Sequence, residues 1–106
     1  MADFHRRYET VYGRGAHGSM PQAAVDPVVL AAMIVLRLQT IVSREVAPTD
    51  TVVLTVGSVH SGSKSNVIGD RAVLELNLRT YDESVRTAVL DAIRRIVTAE
   101  CQASNS

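Results

Sequence analysis

Apolar positions along the chain repeat with two periods, and each period predicts a different kind of element. In residues 85–97 apolar side chains return every three or four positions, which is the clearest helical period in the sequence. In residues 71–79 apolar and polar side chains alternate, which predicts a strand with one dry and one wet face. Runs of β-favouring residues at 8–12 and 51–56 predict two more strands.

A further helix is predicted between the first two strands. Asp26 can accept from the free amides of a first helical turn, and Pro27 fits the first helical position. We expect this helix to run from residue 27 to about residue 44, and its apolar surface is wider than one sheet contact needs. A partner subunit could supply the second contact. Thr80 and Glu83 have the spacing of a capping box, which predicts the start of the last helix.

The predicted order is strand, helix, strand, strand, helix. Two helices can cover one face of a three-stranded antiparallel sheet, so the expected fold is α+β, a two-layer ferredoxin-like sandwich of order β-α-β-β-α. Only ECQASNS follows residue 99, so the final strand of the ferredoxin-like unit is expected to be missing. We expect residues 1–7 to be a disordered or vector-derived end, 8–100 one domain, and 101–106 a tail.

Composition narrows the classes of partner. Eleven basic residues balance eleven acidic residues in a chain of 106, so no excess charge favours nucleic acid or an anionic membrane. Cys101 is the only cysteine, which excludes an internal disulfide and a cysteine-based zinc site. The apolar run at 28–36 is expected to be too short to span a bilayer, and no leader is expected at the start. These features predict a soluble, cytoplasmic protein.

The stretch GRGAHG has the G-x-G-x-x-G spacing of a dinucleotide-binding loop. Such a loop requires a helix directly after the last glycine. Here Pro21 intervenes, and the predicted helix starts only at Asp26. The alternative is a tight loop that presents His17 at its tip. Spacing alone is also compatible with a surface histidine in an ordinary turn.

Asn66 and Arg79 form the second candidate pair. An amide beside a guanidinium could grip a carboxylate through a forked contact, although a turn-capping Asn and a solvated Arg fit the same pattern. No HExxH spacing or acidic cluster predicts a metal site in this chain. Loop serines such as Ser19 have no base and orienting acid at a recognisable spacing, so turn formation is their expected role.

Four segments together resemble the lid, or dimerisation, domain of metal-dependent aminoacylases and carboxypeptidases, with the hippurate hydrolase and indole-acetyl-amino-acid hydrolase branch nearest. The resemblance covers about residues 8–100. The segments that carry it are GRGAHGSMPQAAVDP, LQTIVSRE, VGSVHSGSKSNVIGD and LELNLRTYDES.

The resemblance implies roles for the candidate residues. His17 matches the histidine that reaches a neighbouring subunit's active site and steadies the carbonyl oxygen as it becomes an oxyanion. Asn66 and Arg79 match residues that hold the substrate's carboxylate. Two divalent, zinc-type metals are expected in a catalytic domain outside this chain. Gln22 stands where many members have a second histidine, and Gly69 stands where many have proline.

The expected function is therefore that of an isolated lid and dimerisation domain of an amidohydrolase, inactive alone and without a cofactor of its own. Its expected partners are the catalytic domain of the parent enzyme and a second copy, paired through strand 51–56 and packed through the first helix. No nucleic acid or membrane partner is expected. A stand-alone ferredoxin-like dimeric module that binds ligands or regulates is the alternative.

Overall fold

The computed structural model describes residues 3–106, with side chains described from His5 onward, as five strands and two long helices. A 3-10 turn at Pro21–Ala23 precedes the first helix, and a π-helical turn at Ile41–Glu45 continues it. The main elements are β1 (Asp3–Tyr12), β2 (Ala16–His17), α1 (Pro27–Thr40), β3 (Val52–Ser61), β4 (Val67–Ile68), β5 (Arg71–Thr80) and α2 (Glu83–Ala103).

The main sheet has the order β1-β5-β3, and β5 runs antiparallel to both neighbours. Every second residue of β5 is buried beneath the helices, as its alternating sequence predicts. This arrangement confirms the predicted α+β, ferredoxin-like sandwich with two helices on one face. Its core is formed by Leu74, Leu76 and Leu78 of β5, Leu30, Ile34 and Leu38 of α1, and Val89, Ile93 and Ile96 of α2.

Several predicted boundaries were wrong because pairing partners extend the elements. β1 begins at Asp3 rather than at residue 8, since it pairs with β5 along its whole length. At the other terminus α2 continues to Ala103, which places half of the expected tail in a helix. Met1 and Ala2 lie outside the described residues.

The N-cap of α1 was predicted correctly, whereas the N-cap of α2 was not. Asp26 caps α1 as predicted, since its Oδ1 accepts from the backbone N–H of Val28 at 2.9 Å. The cap of α2 is Asp82, because Thr80 is buried as the last residue of β5. A hydrogen bond from the Ser84 hydroxyl, followed by those from the Val85 and Ser84 amides, lowers the pKa of Asp82.

A β-bulge at Gly57 interrupts the edge strand β3. Val56 lies opposite Leu76, whereas Ser58 already lies opposite Glu75, so one extra residue is inserted on the β3 side. The bulge shifts the alternation by one residue: Val56 lies opposite buried Leu76 before it, and Val59 lies opposite buried Leu74 after it. Pairing with β5 continues beyond the bulge, so β3 ends at Ser61 and not at residue 56.

One face of α1 is apolar but exposed. The segment Pro27–Glu45 has 19 residues of mean hydropathy 1.5, so by length and composition alone it could cross a membrane, although core helices pass the same test. A third of it (33%) is buried, and that part packs into the core over β3 and β5. The outer apolar face, as defined here, consists of Val28, Val29, Met33 and Leu36 of α1 together with Val42 of the π-helical turn, which are 42–67% exposed.

Gly13→Ala should destabilise the domain, because a Cβ at Gly13 would lie 2.1 Å from the Val25 carbonyl oxygen and 2.8 Å from Pro27 Cδ. The Val25 oxygen belongs to the backbone, so the start of α1 would have to move. We expect a loss of about 1–3 kcal/mol, seen as a lower urea midpoint at unchanged slope. Gly57→Ala is the control, since its nearest neighbour would be 3.8 Å away. Equal losses in both variants would contradict this account.

Candidate functional site

The loop that follows β1 and the loop that follows β3 are joined by a small two-stranded sheet with two residues in each strand. β2 and β4 pair antiparallel, with His17 opposite Val67. Next to this pair the Gly18 N–H donates to the Asn66 carbonyl at 2.7 Å. A Cβ at Gly18 would approach that carbonyl oxygen to 3.2 Å, so a side chain would press the two loops apart. The structure thus brings two of the three predicted site residues, His17 and Asn66, to one end of the sheet.

The His17 side chain is exposed and held through one ring nitrogen. Its Nδ1 accepts from the Ser19 backbone N–H at 3.1 Å and lies 2.8 Å from Ser19 Oγ. The backbone of the loop is fixed as well, since the Met20 N–H donates to the His17 carbonyl at 2.8 Å. An imidazole anchored at Nδ1 directs its Nε2 edge outward, where it can act on another molecule.

The glycine loop differs from a phosphate-binding loop in how it reaches the helix. Between Gly18 and α1 the chain forms the turn at Pro21–Ala23, and Val25 then bridges to Arg14. The amides at the start of α1 are already bonded to the Asp26 carboxylate, a charge that would repel a phosphate. This geometry agrees with a loop that presents a histidine.

Arg79 lies at the opposite end of the sheet from His17 and Asn66. It is exposed on the face without helices, where it pairs in register with Val53 of β3. The strand start, Arg71, is next to the glycine loop, because it lies opposite Tyr12. At about 3.3 Å per residue, the eight steps from Arg71 to Arg79 along β5 span roughly 26 Å. Within one subunit the structure does not bring Arg79 next to Asn66.

A cleft of about 510 Å³ opens beside the paired loops. It is lined by Gly18, by residues 61–65 and 67–68, and by Asp26 and Val28 at the start of α1. Lys64 and Asp26 are the charged residues of its wall. The cleft adjoins the backbone that carries His17 and Asn66, so a ligand held there would lie close to both.

Sequence reasoning missed Ser19, which contacts the His17 ring instead of serving only the turn. Its position two residues after the histidine was the available signal, since short polar side chains often bond to groups two residues away. Among residues 5–106, whose side chains the structure describes, no cluster of three or more His, Cys, Asp or Glu side chains could hold a metal ion. Burial raises the pKa of the Cys101 thiol, which makes this cysteine a weak nucleophile at neutral pH.

Comparison with known proteins identifies the domain. Residues 5–105 match the family described as a peptidase dimerisation domain. N-acetyl-L-cysteine deacetylase of Bacillus subtilis is 43% identical over 89 residues, and hippurate hydrolase of Campylobacter jejuni is 36% identical over 95 residues. These matches cover 84% and 90% of this chain but 21% and 25% of the two relatives.

Solved structures agree with the sequence relatives. A candidate aminohydrolase from methicillin-resistant Staphylococcus aureus superposes with a TM-score of 0.90 at 31% identity, over 96% of this chain and 27% of that one. An aminobenzoyl-glutamate utilization protein from Klebsiella pneumoniae gives a TM-score of 0.87 at 18% identity, over 98% and 26%, which supports the fold alone. The chain therefore spans about a quarter of the proteins it matches.

Proposed function

Because this chain belongs to the peptidase dimerisation domain family, we propose that it is the lid and dimerisation domain of a metal-dependent enzyme that hydrolyses N-acyl amino acids or related amides. The names of two relatives, an N-acetyl-L-cysteine deacetylase and a hippurate hydrolase, support this substrate class. The chain pairs with a second copy and with a catalytic domain. Alone it is inactive, because the metals that activate the attacking water belong to that catalytic domain.

The observation that carries the proposal is the exposed imidazole of His17 beside Asn66. The ring is held by Ser19, and the Gly18–Asn66 hydrogen bond ties its loop to the next one. A fixed donor that faces outward is suited to stabilise charge that develops on another molecule's carbonyl oxygen. His17 is proposed to act in trans as the oxyanion stabiliser, while Asn66 and Arg79 hold the substrate's carboxylate.

The dimer is proposed to form through the edge of β3 and the outer apolar face of α1. β3 is an edge strand of the main sheet, and an edge strand can pair with its own copy. α1 contacts β3 as well as β5 and β1, and its outer apolar face is exposed, so a partner that pairs with the β3 edge could also cover part of that face. Antiparallel pairing of two β3 strands creates one continuous six-stranded sheet around a twofold axis.

In the proposed dimer, Arg79 of one subunit can share a site with His17 and Asn66 of the other. Antiparallel pairing turns the partner end over end, so the His17 end of one subunit comes level with the Arg79 end of the other. We propose that each active site takes His17 and Asn66 from one subunit and Arg79 from its partner. The carboxylate would then be held between an amide and a guanidinium from different chains.

Mixed dimers test this division. The domain would replace the matched segment of the Bacillus subtilis deacetylase, and chains carrying His17→Ala or Arg79→Ala would be coexpressed with two different tags. In a purified mixed dimer one site carries both substitutions and the other carries neither, so we expect about half the activity of the unsubstituted chimera. A mixed dimer as inactive as both parent variants would show that the two residues act from the same subunit.

A further inference from the structure

We infer that Ser19 is a positioning residue that selects the neutral tautomer of His17 with the proton on Nε2. The catalytic meaning of this inference rests on the proposed function, since it specifies which ring nitrogen would donate to the oxyanion. The inference itself concerns only contacts within this chain. It can therefore be tested without a catalytic domain.

The Ser19 backbone amide carries the argument. It approaches His17 Nδ1 to 3.1 Å, and an amide N–H can only donate. Nδ1 must therefore present its lone pair and carry no proton. In a neutral imidazole the remaining proton then resides on Nε2.

The Ser19 hydroxyl strengthens the contact but does not decide the tautomer. Oγ lies 2.8 Å from Nδ1 and can donate to an unprotonated nitrogen or accept from a protonated one. The amide has no such choice, so protonation of Nδ1 would set two N–H groups against each other. The Ser19 amide therefore favours the unprotonated Nδ1, and the hydroxyl can donate to the same nitrogen.

The surrounding backbone keeps this contact in place. The Met20 N–H donates to the His17 carbonyl at 2.8 Å, and the Gly18 N–H donates to Asn66 at 2.7 Å. Both bonds restrict the loop on either side of the Ser19 amide. The chain thus presents an Nε2–H donor in a fixed direction, which is the form required to hydrogen-bond an oxyanion.

The test is nitrogen NMR of the ¹⁵N-labelled chain. At a pH where the rings are neutral, we expect His17 Nδ1 to show the shift of an unprotonated ring nitrogen and Nε2 that of a protonated one. Exposed His60 is the internal reference for an unconstrained ring. A tautomer mixture at His17 like that at His60 would overturn the inference.

The Ser19 amide gives a second, independent measurement. As the pH falls and the His17 ring gains its second proton, the Ser19 N–H must lose its acceptor, so its amide resonance should shift together with the ring. His17→Gln should abolish this coupled shift, whereas Ser19→Ala should preserve it because the backbone amide remains. If the amide resonance of residue 19 does not change when the ring is protonated, in the unsubstituted chain or in the Ser19→Ala variant, the inference is overturned. The two claims can fail separately. If NMR shows the expected tautomer but the His17→Ala chimera keeps full activity, the proposed function is refuted and the tautomer inference stands.

Discussion

His17→Ala is expected to lower the kcat of the deacetylase chimera by about 10²–10³-fold, the typical effect of removing one oxyanion donor. The loss should fall on kcat with little change in KM, because the imidazole meets negative charge that exists only in the transition state. Steady-state kinetics with N-acetyl-L-cysteine, under conditions where the chimera is dimeric, measure both constants. Substrate binding through Asn66 and Arg79 should persist.

His60→Ala is the matched control for that experiment. His60 is an exposed histidine near the same end of the sheet, on the strand that leads into the Asn66 loop. Its replacement should leave kcat within about twofold of the chimera. If His17→Ala behaves as mildly as His60→Ala while the dimer stays intact, His17 is not the oxyanion donor.

Leu36→Lys is expected to raise the dimer dissociation constant roughly 100-fold or more. Leu36 is 67% exposed on the outer apolar face of α1, so in the proposed dimer its side chain is buried against the partner. Burying a leucine contributes about 1.5–3 kcal/mol, and a twofold interface contains two copies. Analytical ultracentrifugation over a concentration series measures the shift.

Tyr8→Lys provides the control for the dimer experiment. Tyr8 is 57% exposed and belongs to β1, which β5 separates from the β3 edge. Both substitutions place a charge on an exposed position, so neither should unfold the monomer. A dissociation constant that rises equally in both variants, or in neither, would contradict an interface built from β3 and α1.

The parts of the fold with a repeating pattern were predictable, because burial on one face leaves a period in the sequence. Residues 71–79 and 85–97 became β5 and α2 with small boundary changes, and Asp26 capped α1 as expected. Residues 3–7 of the first strand carried no such period. They become part of β1 only because β5 offers them a partner along the full length.

The geometry of the site was less accessible to sequence reasoning. β2 and β4 have two residues each, too few for any period, so the pairing that brings His17 to Asn66 could not be read beforehand. The separation of Arg79 from Asn66 could have been predicted, because the length of an extended strand is proportional to its number of residues. The Asp82 cap was missed because Thr80 offered a plausible capping box before its burial in the sheet was known.

The bulge at Gly57 lets this strand differ in length by one residue without disturbing the site. Gly57 is the unpaired residue of the bulge, so a strand without it would still place Ser58 opposite Glu75 and Val59 opposite Leu74 in a regular ladder. The pairing that brings the Asn66 carbonyl to Gly18 therefore does not depend on the extra residue. Homologues that lack it can keep the histidine loop in place with no second length change.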